Sequence, residues 1–586
     1  MKLKAGGKAL IIAAVVGLAG YAASHFGYFD SKSTVASTVP PKIDLPDGTP
    51  QRQATAAETS AVNIASAGSS YVLKVQTLAW NAATGLMFAN GDVTTATGSL
   101  MDKHGVKVAL ERQDDYAQMT AQQVAFAKSF AAGNANPTEG VAFVVIMGDG
   151  YPAYATATNE AMSKLGQSVQ VVGSLGYSRG EDKCMLPAAV KSNPQLARGS
   201  LIGGVERDGD LHICFKWATD NNIPINADNK TYDPDAMNFV AVNAFTEADE
   251  KLIAGYSEVR PVVSKGKLTG EKRKVTQNGT ATWTPGDVKV TNECAKPGKA
   301  CAGIAAVAST AEYKWQMPAT VIGNKAWMEK NPAIVQNFLA AAFEGGEMVR
   351  NDDAALTRGA AVNAKVFKEE DAAYWKKYFK GVNGLGGSTT SGLGDNAYLF
   401  GLAGNDNLYK RVYTVFGDID HQYYPDAMPK ALPYADVVNT SYVEALLAKS
   451  SKTAKADTGT FVPNAPVTGT FAKKAYSIEF QSGKASFTPA AATVLDDVLN
   501  QISITGLTVQ INGHTDNAGN ADTNLALSKA RAEAVKNWIV QNAPSSFPVD
   551  RLRTRGFGDA VPLADNKSAD GRSKNRRVEV ILLQTN

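Results

Sequence analysis

The hydrophobic pattern begins with an unbroken apolar run. From Ala9 through Ile11, Val15 and Leu18 to Ser24 there is no charge, and Lys2, Lys4 and Lys8 come before it. Broken only by His25, the apolar character continues to Phe29. That approaches the ~20 residues a helix needs to span a bilayer, and the leading positive charge keeps the N-terminus in the cytoplasm and exports the rest of the chain. Residues 1–29 are therefore read as a signal anchor, a transmembrane helix left uncleaved, although Gly20-Tyr21-Ala22 also has the small residues of a cleavage site. No cysteine comes after the run to carry a lipid.

Residues 30–69 lack periodicity and are rich in Ser, Thr and Ala, with Pro40-Pro41, Pro46 and Pro50. Such composition makes a flexible linker. A second stretch of this kind, 449–471, contains Pro463 and Pro466. Between them, over 70–448, short apolar strands alternate with helical segments. Strands are expected at Tyr71–Leu78, Val106–Leu110, Val141–Met147, Val169–Val172 and Phe239–Val242, and helices at Thr120–Ala131, Thr246–Tyr256, Pro332–Arg350 and Asp371–Phe379. This α/β order predicts a mostly parallel sheet, and the length predicts two lobes. Residues 472–586 read as a smaller α/β sandwich: strand Tyr476–Phe480, helix Ala490–Ile502, strand Leu507–Asn512, helix Asn524–Gln541, and strands Leu552–Gly556 and Arg577–Leu583.

Composition narrows the partners. A net charge of +3 on 586 residues is far from the clustered basic excess of a nucleic-acid binder. The four cysteines lie mid-chain, which agrees with an oxidising compartment. Cys294 and Cys301 bracket the turn-rich Ala-Lys-Pro-Gly-Lys-Ala, so a local Cys294–Cys301 bridge leaves Cys184 for Cys214, although sequence alone permits other pairings. His25, His104, His212, His421 and His514 are scattered and the cysteines lack short paired spacing, so no metal and no cofactor is expected.

The densest chemistry lies near the C-terminus. A strand ends in Asn512-Gly513-His514-Thr515-Asp516; a helix carries Asn524-Leu525-Ala526-Leu527-Ser528-Lys529-Ala530-Arg531; later come Gly571-Arg572-Ser573-Lys574-Asn575-Arg576-Arg577. These ordered motifs resemble the OmpA C-terminal family, shared with peptidoglycan-associated lipoproteins and flagellar stator proteins. The resemblance implies that Asp516 and Arg531 bind the diaminopimelate side chain of the peptidoglycan stem peptide, with Asn524 and Arg576 shaping the groove. The chemistry agrees: a carboxylate and a guanidinium together satisfy a zwitterion, and Arg grips a carboxylate with two parallel bonds. His514 has no nucleophile beside it in the motif and reads as structural, so binding without cleavage is expected.

In the large body, Asn81 and Thr84 lie where small residues open a helix, an anion-binding geometry. Tyr151 comes after Gly148-Asp149-Gly150, and Ser178 and Arg179 lie in Gly176-Tyr177-Ser178-Arg179-Gly180. All three loops come after strands, the edge where open α/β sheets bind ligands. With Trp315-Gln316-Met317-Pro318-Ala319, the Ala326-Trp327 to Phe338 helix and the closing Tyr424-Pro425 to Tyr434 segment, this order resembles periplasmic substrate-binding proteins of ABC transporters, of the phosphate, nitrate and sulfonate type. It implies two lobes closing on a small ligand, an anion in those branches, with Asn81, Thr84, Tyr151, Ser178 and Arg179 as contacts. The expected whole is a Gram-negative envelope protein, anchored in the inner membrane, exposed to the periplasm, bound to peptidoglycan and serving an inner-membrane transporter or sensor. Two other readings stay open. One is a structural wall linker whose large domain binds a protein. The other is an exported serine hydrolase, because Gly176–Gly180 also fits a Gly-x-Ser-x-Gly elbow around Ser178; its histidine would be His421 or His212, the latter in Leu-His-Ile-Cys, read as a strand interior.

Overall fold

The computed structural model describes residues 70–207, 209–242, 245–381, 387–404, 406–450, 455–459, 461–548 and 550–585. The expected anchor at 1–29 and the linker at 30–69 lie outside the described residues. Among the described residues no helix is long and apolar enough to cross a membrane.

The chain builds strands β1 (Val72–Thr77), β2 (Lys107–Arg112), β3 (Phe143–Met147) and β4 (Val169–Arg179) into one sheet, then passes into a second. The second sheet takes β5 (Asp182–Pro187), β6 (Leu201–Gly204), β7 (Ile225–Asn226) and β8 (Met237–Ala241). A hairpin of β9 (Ser257–Ser264) and β10 (Lys267–Thr276) comes next, and β11 (Gly279–Trp283) and β12 (Ile304–Ser309) complete the second sheet. The chain then returns to the first sheet as β13 (Pro318–Asn324) and β14 (Gly387–Thr390). The two six-stranded sheets have orders β14-β4-β13-β3-β1-β2 and β12-β5-β11-β6-β8-β7. They are joined by two crossings, Arg179 to Asp182 and Ser309 to Pro318. Two sheets with two crossings make two lobes.

The sheets are mixed rather than mostly parallel. β1 pairs in parallel with β2 and β3, but β13 runs antiparallel to both β3 and β4. The returning strand enters from the other lobe and so runs opposite to its neighbours. The all-apolar β3 is buried along its whole length, as a strand covered on both faces must be; its Phe143 stacks on Phe338 at 4.9 Å.

Helix boundaries obey capping chemistry. Asp115 accepts from the Ala117 and Gln118 amides and starts the helix Tyr116–Ala131 ahead of the expected Thr120. Asp371 caps Ala372–Lys380 in the same way. Two bridges, Cys184–Cys214 and Cys294–Cys301, match the expected pairing. One assignment reverses: Leu211 to Cys214 belongs to the helix Gly209–Asp220, not to a strand. A short apolar run buried on every side has no period that separates the two.

The C-terminal sheet has the order β15-β18-β16-β17, with β15 (Val467–Tyr476), β16 (Thr508–Gly513), β17 (Leu552–Gly556) and β18 (Val578–Thr585). β15 begins inside the segment read as linker, because Val467, Gly469 and Thr470 find ladder partners on β18. This sheet is not held at a distance from the lobes. The Trp315 amide donates to the Ile504 carbonyl and the Gly506 amide to the Glu312 carbonyl, both at 2.9 Å. Tyr313 packs edge-on against Phe471 and donates to Asp220 at 2.9 Å. Arg411 donates to Asn500 at 2.6 Å.

Candidate functional site

The C-terminal site forms where β16 runs out. Glycines let the helix Ala521–Asn542 lie directly on the sheet: a Cβ at Gly513 would stand 2.0 Å from the Ser528 carbonyl oxygen, and one at Gly556 would stand 2.7 Å from the Lys529 nitrogen. Asn520 caps the helix by accepting from the Asp522 and Thr523 amides. One turn inside, Asn524 donates its side-chain amide to the carbonyls of Asp516 and Ala518, both at 3.2 Å. It thereby fixes the loop that carries Asp516.

Asp516 is 9% exposed. One carboxylate oxygen accepts from the Ala518 amide at 3.1 Å and the other from Arg576 at 2.6 Å. Arg576 is held by its neighbour: Asn575, fully buried, accepts from the Leu563 and Ala564 amides and donates to the Ala564 carbonyl. Arg531 reaches the same place from the helix. Its Nε donates to the Lys484 carbonyl at 3.1 Å, and its guanidinium lies 4.9 Å from the Phe480 ring centre. Burial and the neighbouring Arg576 lower its pKa, against the pull of Asp516. Both terminal nitrogens of Arg531 lack a hydrogen-bond acceptor among the described residues. The site thus joins a carboxylate to a guanidinium with free donors, the pair that a zwitterion requires.

Asp516, Arg531, Asn524 and Arg576 therefore come together. Phe480 and Lys484 complete the groove and lie outside the residues expected from the motifs; the turn Gln481-Ser482-Gly483-Lys484 was the available signal. His514 is 2% exposed, stacks on Phe557 at 5.2 Å and places Nε2 3.2 Å from Glu579. Burial raises the Glu579 pKa, but hydrogen bonds from His514, Lys473 and Arg577 outweigh it and hold the carboxyl well below its usual range. His514 is a structural residue here.

The large-body candidates have a different fate. Thr84 Oγ1 donates to the Asn81 carbonyl, and Asn363 donates to both side chains, at 2.8 Å to Asn81 and 2.9 Å to Thr84. The helix that Thr84 opens packs through Gly85 against Gly346, where a Cβ would meet Gly346 Cα at 2.6 Å. Tyr151 donates to the Val437 carbonyl at 2.7 Å. Ser178 shares a 2.5 Å hydrogen bond with Thr310. Arg179 donates to the Ser178 and Lys314 carbonyls and lies over Tyr177 and Trp315. These side chains hold the lobes' own structure.

The nucleophile-elbow geometry is absent at Ser178. It lies within β4, paired with Ser388 of β14, rather than on a strand-to-helix turn. His212 engages Asp420 at 3.0 Å, and His421 engages the Met428 carbonyl at 3.0 Å.

Similarity to known proteins respects this division. Residues 479–576 match the OmpA family model. The probable lipoprotein YiaD of Escherichia coli K12 is 36% identical over 107 residues, 18% of this chain and 48% of that one. The peptidoglycan-binding protein ArfA of Mycobacterium tuberculosis is 36% identical over 106 residues, 18% of this chain and 32% of that one. The chain thus spans half or less of the length of these relatives. Among solved structures, the cell wall anchor of the T6SS from Pseudomonas aeruginosa is 26% identical, covering 20% of this chain and 87% of that one with a TM-score of 0.18. The periplasmic nitrate-binding protein NrtA from Synechocystis PCC 6803 aligns over 66% of this chain and 92% of its own, at 11% identity and a TM-score of 0.42. The C-terminal segment, over residues 479–576, is an OmpA-family domain.

Proposed function

We propose that this chain is a cell-envelope protein that binds peptidoglycan non-covalently through its C-terminal domain and carries a two-lobed, ligand-binding body in the periplasm. The observation that carries the first part is the convergence of Asp516 and Arg531 in one groove. Asp516 accepts from the ammonium and Arg531 donates to the carboxylate of the diaminopimelate side chain, while Asn524 and Arg576 hold the groove in shape. The ArfA and YiaD likenesses support the wall-binding and envelope readings. The lobes and their two crossings support a body that opens and closes on a small solute.

In this reading residues 1–29 anchor the chain in the inner membrane, 30–69 are a tether, and a transporter or sensor in that membrane is the partner. The function is binding rather than catalysis. Co-sedimentation of the full chain with diaminopimelate-type peptidoglycan tests the wall anchor. Wild type pellets with the wall, and Asp516→Ala and Arg531→Ala each weaken pelleting roughly tenfold or more, the scale of a lost charge-assisted hydrogen bond. Wild-type protein left in the supernatant would sink the proposal.

A further inference from the structure

A connected network of buried polar side chains lies where the two lobes meet. Glu181 and Asp182 stand at the first crossing, Thr310 and Gln316 in the second, Asp149 after β3, His212 on the helix Gly209–Asp220 and Asp420 on the helix Leu408–Tyr423. Gln316 donates to Asp149 at 2.8 Å. His212 lies 3.8 Å from Asp149 and 3.0 Å from Asp420. Asp182 has Ser178, Asp210 and Asp149 as polar neighbours, and Glu181 accepts from Trp80 and from Ser388. None of Asp149, Glu181, Asp182, Gln316 and Asp420 is more than 1% exposed.

The balance of this network is wrong for a finished core. Both oxygens of Asp182, Oδ1 of Asp149, Oδ2 of Asp420, Oε2 of Glu181 and the neutral Oε1 of Gln316 accept no well-formed hydrogen bond from the described residues, and Ser178 and Asp210 offset only part of the burial of Asp182. Of the nearby cations, His212 is shared between Asp149 and Asp420, Lys183 is committed to Asp287, and Arg207 lies 5.8 Å from the Tyr424 ring. Buried carboxylates are ordinarily paired, and unpaired ones are costly. Gln316 is independent of the acid count, because a buried amide oxygen without a donor also calls for an N–H. Trp80 and Tyr378, both buried, direct the indole N–H and the phenol O–H toward Glu181.

We propose that the interlobe junction binds a small organic cation bearing a primary ammonium group, whose three N–H donors are taken by Asp182, Asp149 and Gln316. This deepens the reading of the large body as a ligand-binding pair of lobes and rests on it. It also reverses the anion expected from resemblance, since an anion placed here would face carboxylates. Opening the lobes along the two crossings gives the solute access, and closure around it supplies the missing donors.

The test is calorimetric titration of the full chain with putrescine, ethanolamine and lysine, and separately with nitrate, phosphate and sulfate. The melting temperatures of ligand-free wild type and Asp182→Asn are measured alongside. We expect saturable binding of at least one amine, weakened roughly tenfold or more by Asp182→Asn, the scale of removing one partner from a buried charge pair. Without ligand the same variant melts a few degrees higher than wild type, because it removes an unpaired buried charge; Asp149→Asn provides a second variant should Asp182→Asn fail to fold. Saturable binding of an anion, weakened by the same substitution, overturns the cation assignment and leaves the ligand-binding reading standing. Amine binding that ignores both substitutions places the ligand elsewhere and overturns this site. Silence toward every probe overturns the site and the ligand-binding reading together.

Discussion

At Gly513 a single hydrogen atom decides whether the C-terminal groove exists. Any Cβ there meets the Ser528 carbonyl at 2.0 Å, and helix backbone is the neighbour least able to move. Gly513→Ala is therefore expected to destabilise the C-terminal domain by about 1–3 kcal/mol, the cost of overpacking a fitted interface, and to weaken wall binding by separating Arg531 from Asp516. Thermal denaturation monitored by circular dichroism checks the first effect; an unchanged melting temperature would show that the helix yields. At this scale the grouping of Asp516, Arg531, Asn524 and Arg576 was legible because polar and charged side chains in ordered motifs stand out in the chain. The Lys484 carbonyl was not, since every residue carries one. Asn81, Thr84, Tyr151 and Ser178 were misleading for a related reason: polar residues in loops after strands look the same whether they face a ligand or each other, and here Asn363, Val437 and Thr310 satisfy them.

Elements were legible wherever period and caps agreed. β17 falls on Leu552–Gly556 as expected, and the helix Pro332–Asn351 extends the expected Pro332–Arg350 by its last residue. The strand β4 outruns its expected end at Val172, because Gly173, Ser174, Gly176 and Ser178 interrupt the apolar run yet stay buried between β13 and β14. Leu211 to Cys214 is helical against expectation, and the Cys184–Cys214 bridge shows what that helix does: it ties β5 to the helix Gly209–Asp220 across a separation of 30 residues. A loop of that length removes about 3–4 kcal/mol of freedom from the unfolded chain. The Cys184→Ala, Cys214→Ala double variant is expected to lose stability on that scale in denaturant titration. The Cys294→Ala, Cys301→Ala variant, closing only 7 residues, is expected to lose about 2 kcal/mol. Equal losses would mean that native-state packing, rather than loop closure, sets the effect.

The whole molecule is organised around the junction of its parts. The turn Thr310–Trp315 lies in the second crossing and also carries the contacts to Ile504, Gly506 and Phe471, so the C-terminal domain rests on the joint between the lobes. The same joint should set the pH dependence of stability. Burial and the neighbouring Asp149 push the Asp182 carboxyl up to about 6, against Asp210, Ser178 and Lys183. A carboxyl raised in the folded state takes up its proton more readily there, so its cost is absent near pH 4 and complete above about 6. Wild type and Asp182→Asn should then melt together near pH 4 and diverge by pH 7, with the variant higher. For His212, burial is outweighed by Asp420 and Asp149, which push the imidazole up to about 10. Its contribution is complete below the ordinary value of ~6.5 and is lost as pH rises through about 10. Relative to His212→Gln, wild type should lose its advantage over that window. A constant difference between the melting curves would contradict either assignment.

The amino-acid pattern alone determined the local and the modular: the α/β alternation, most strands and helices, and the C-terminal motif with its carboxylate and guanidinium. Those are properties of neighbours in sequence, written in period, caps and spacing. Only the tertiary structure decided that the sheets are mixed, that β15 begins within the expected linker, that the C-terminal domain packs on the lobes, and that Asp149, Asp182, His212 and Asp420 meet in one buried place. These facts join residues far apart in the chain, and no local preference of either partner encodes the contact.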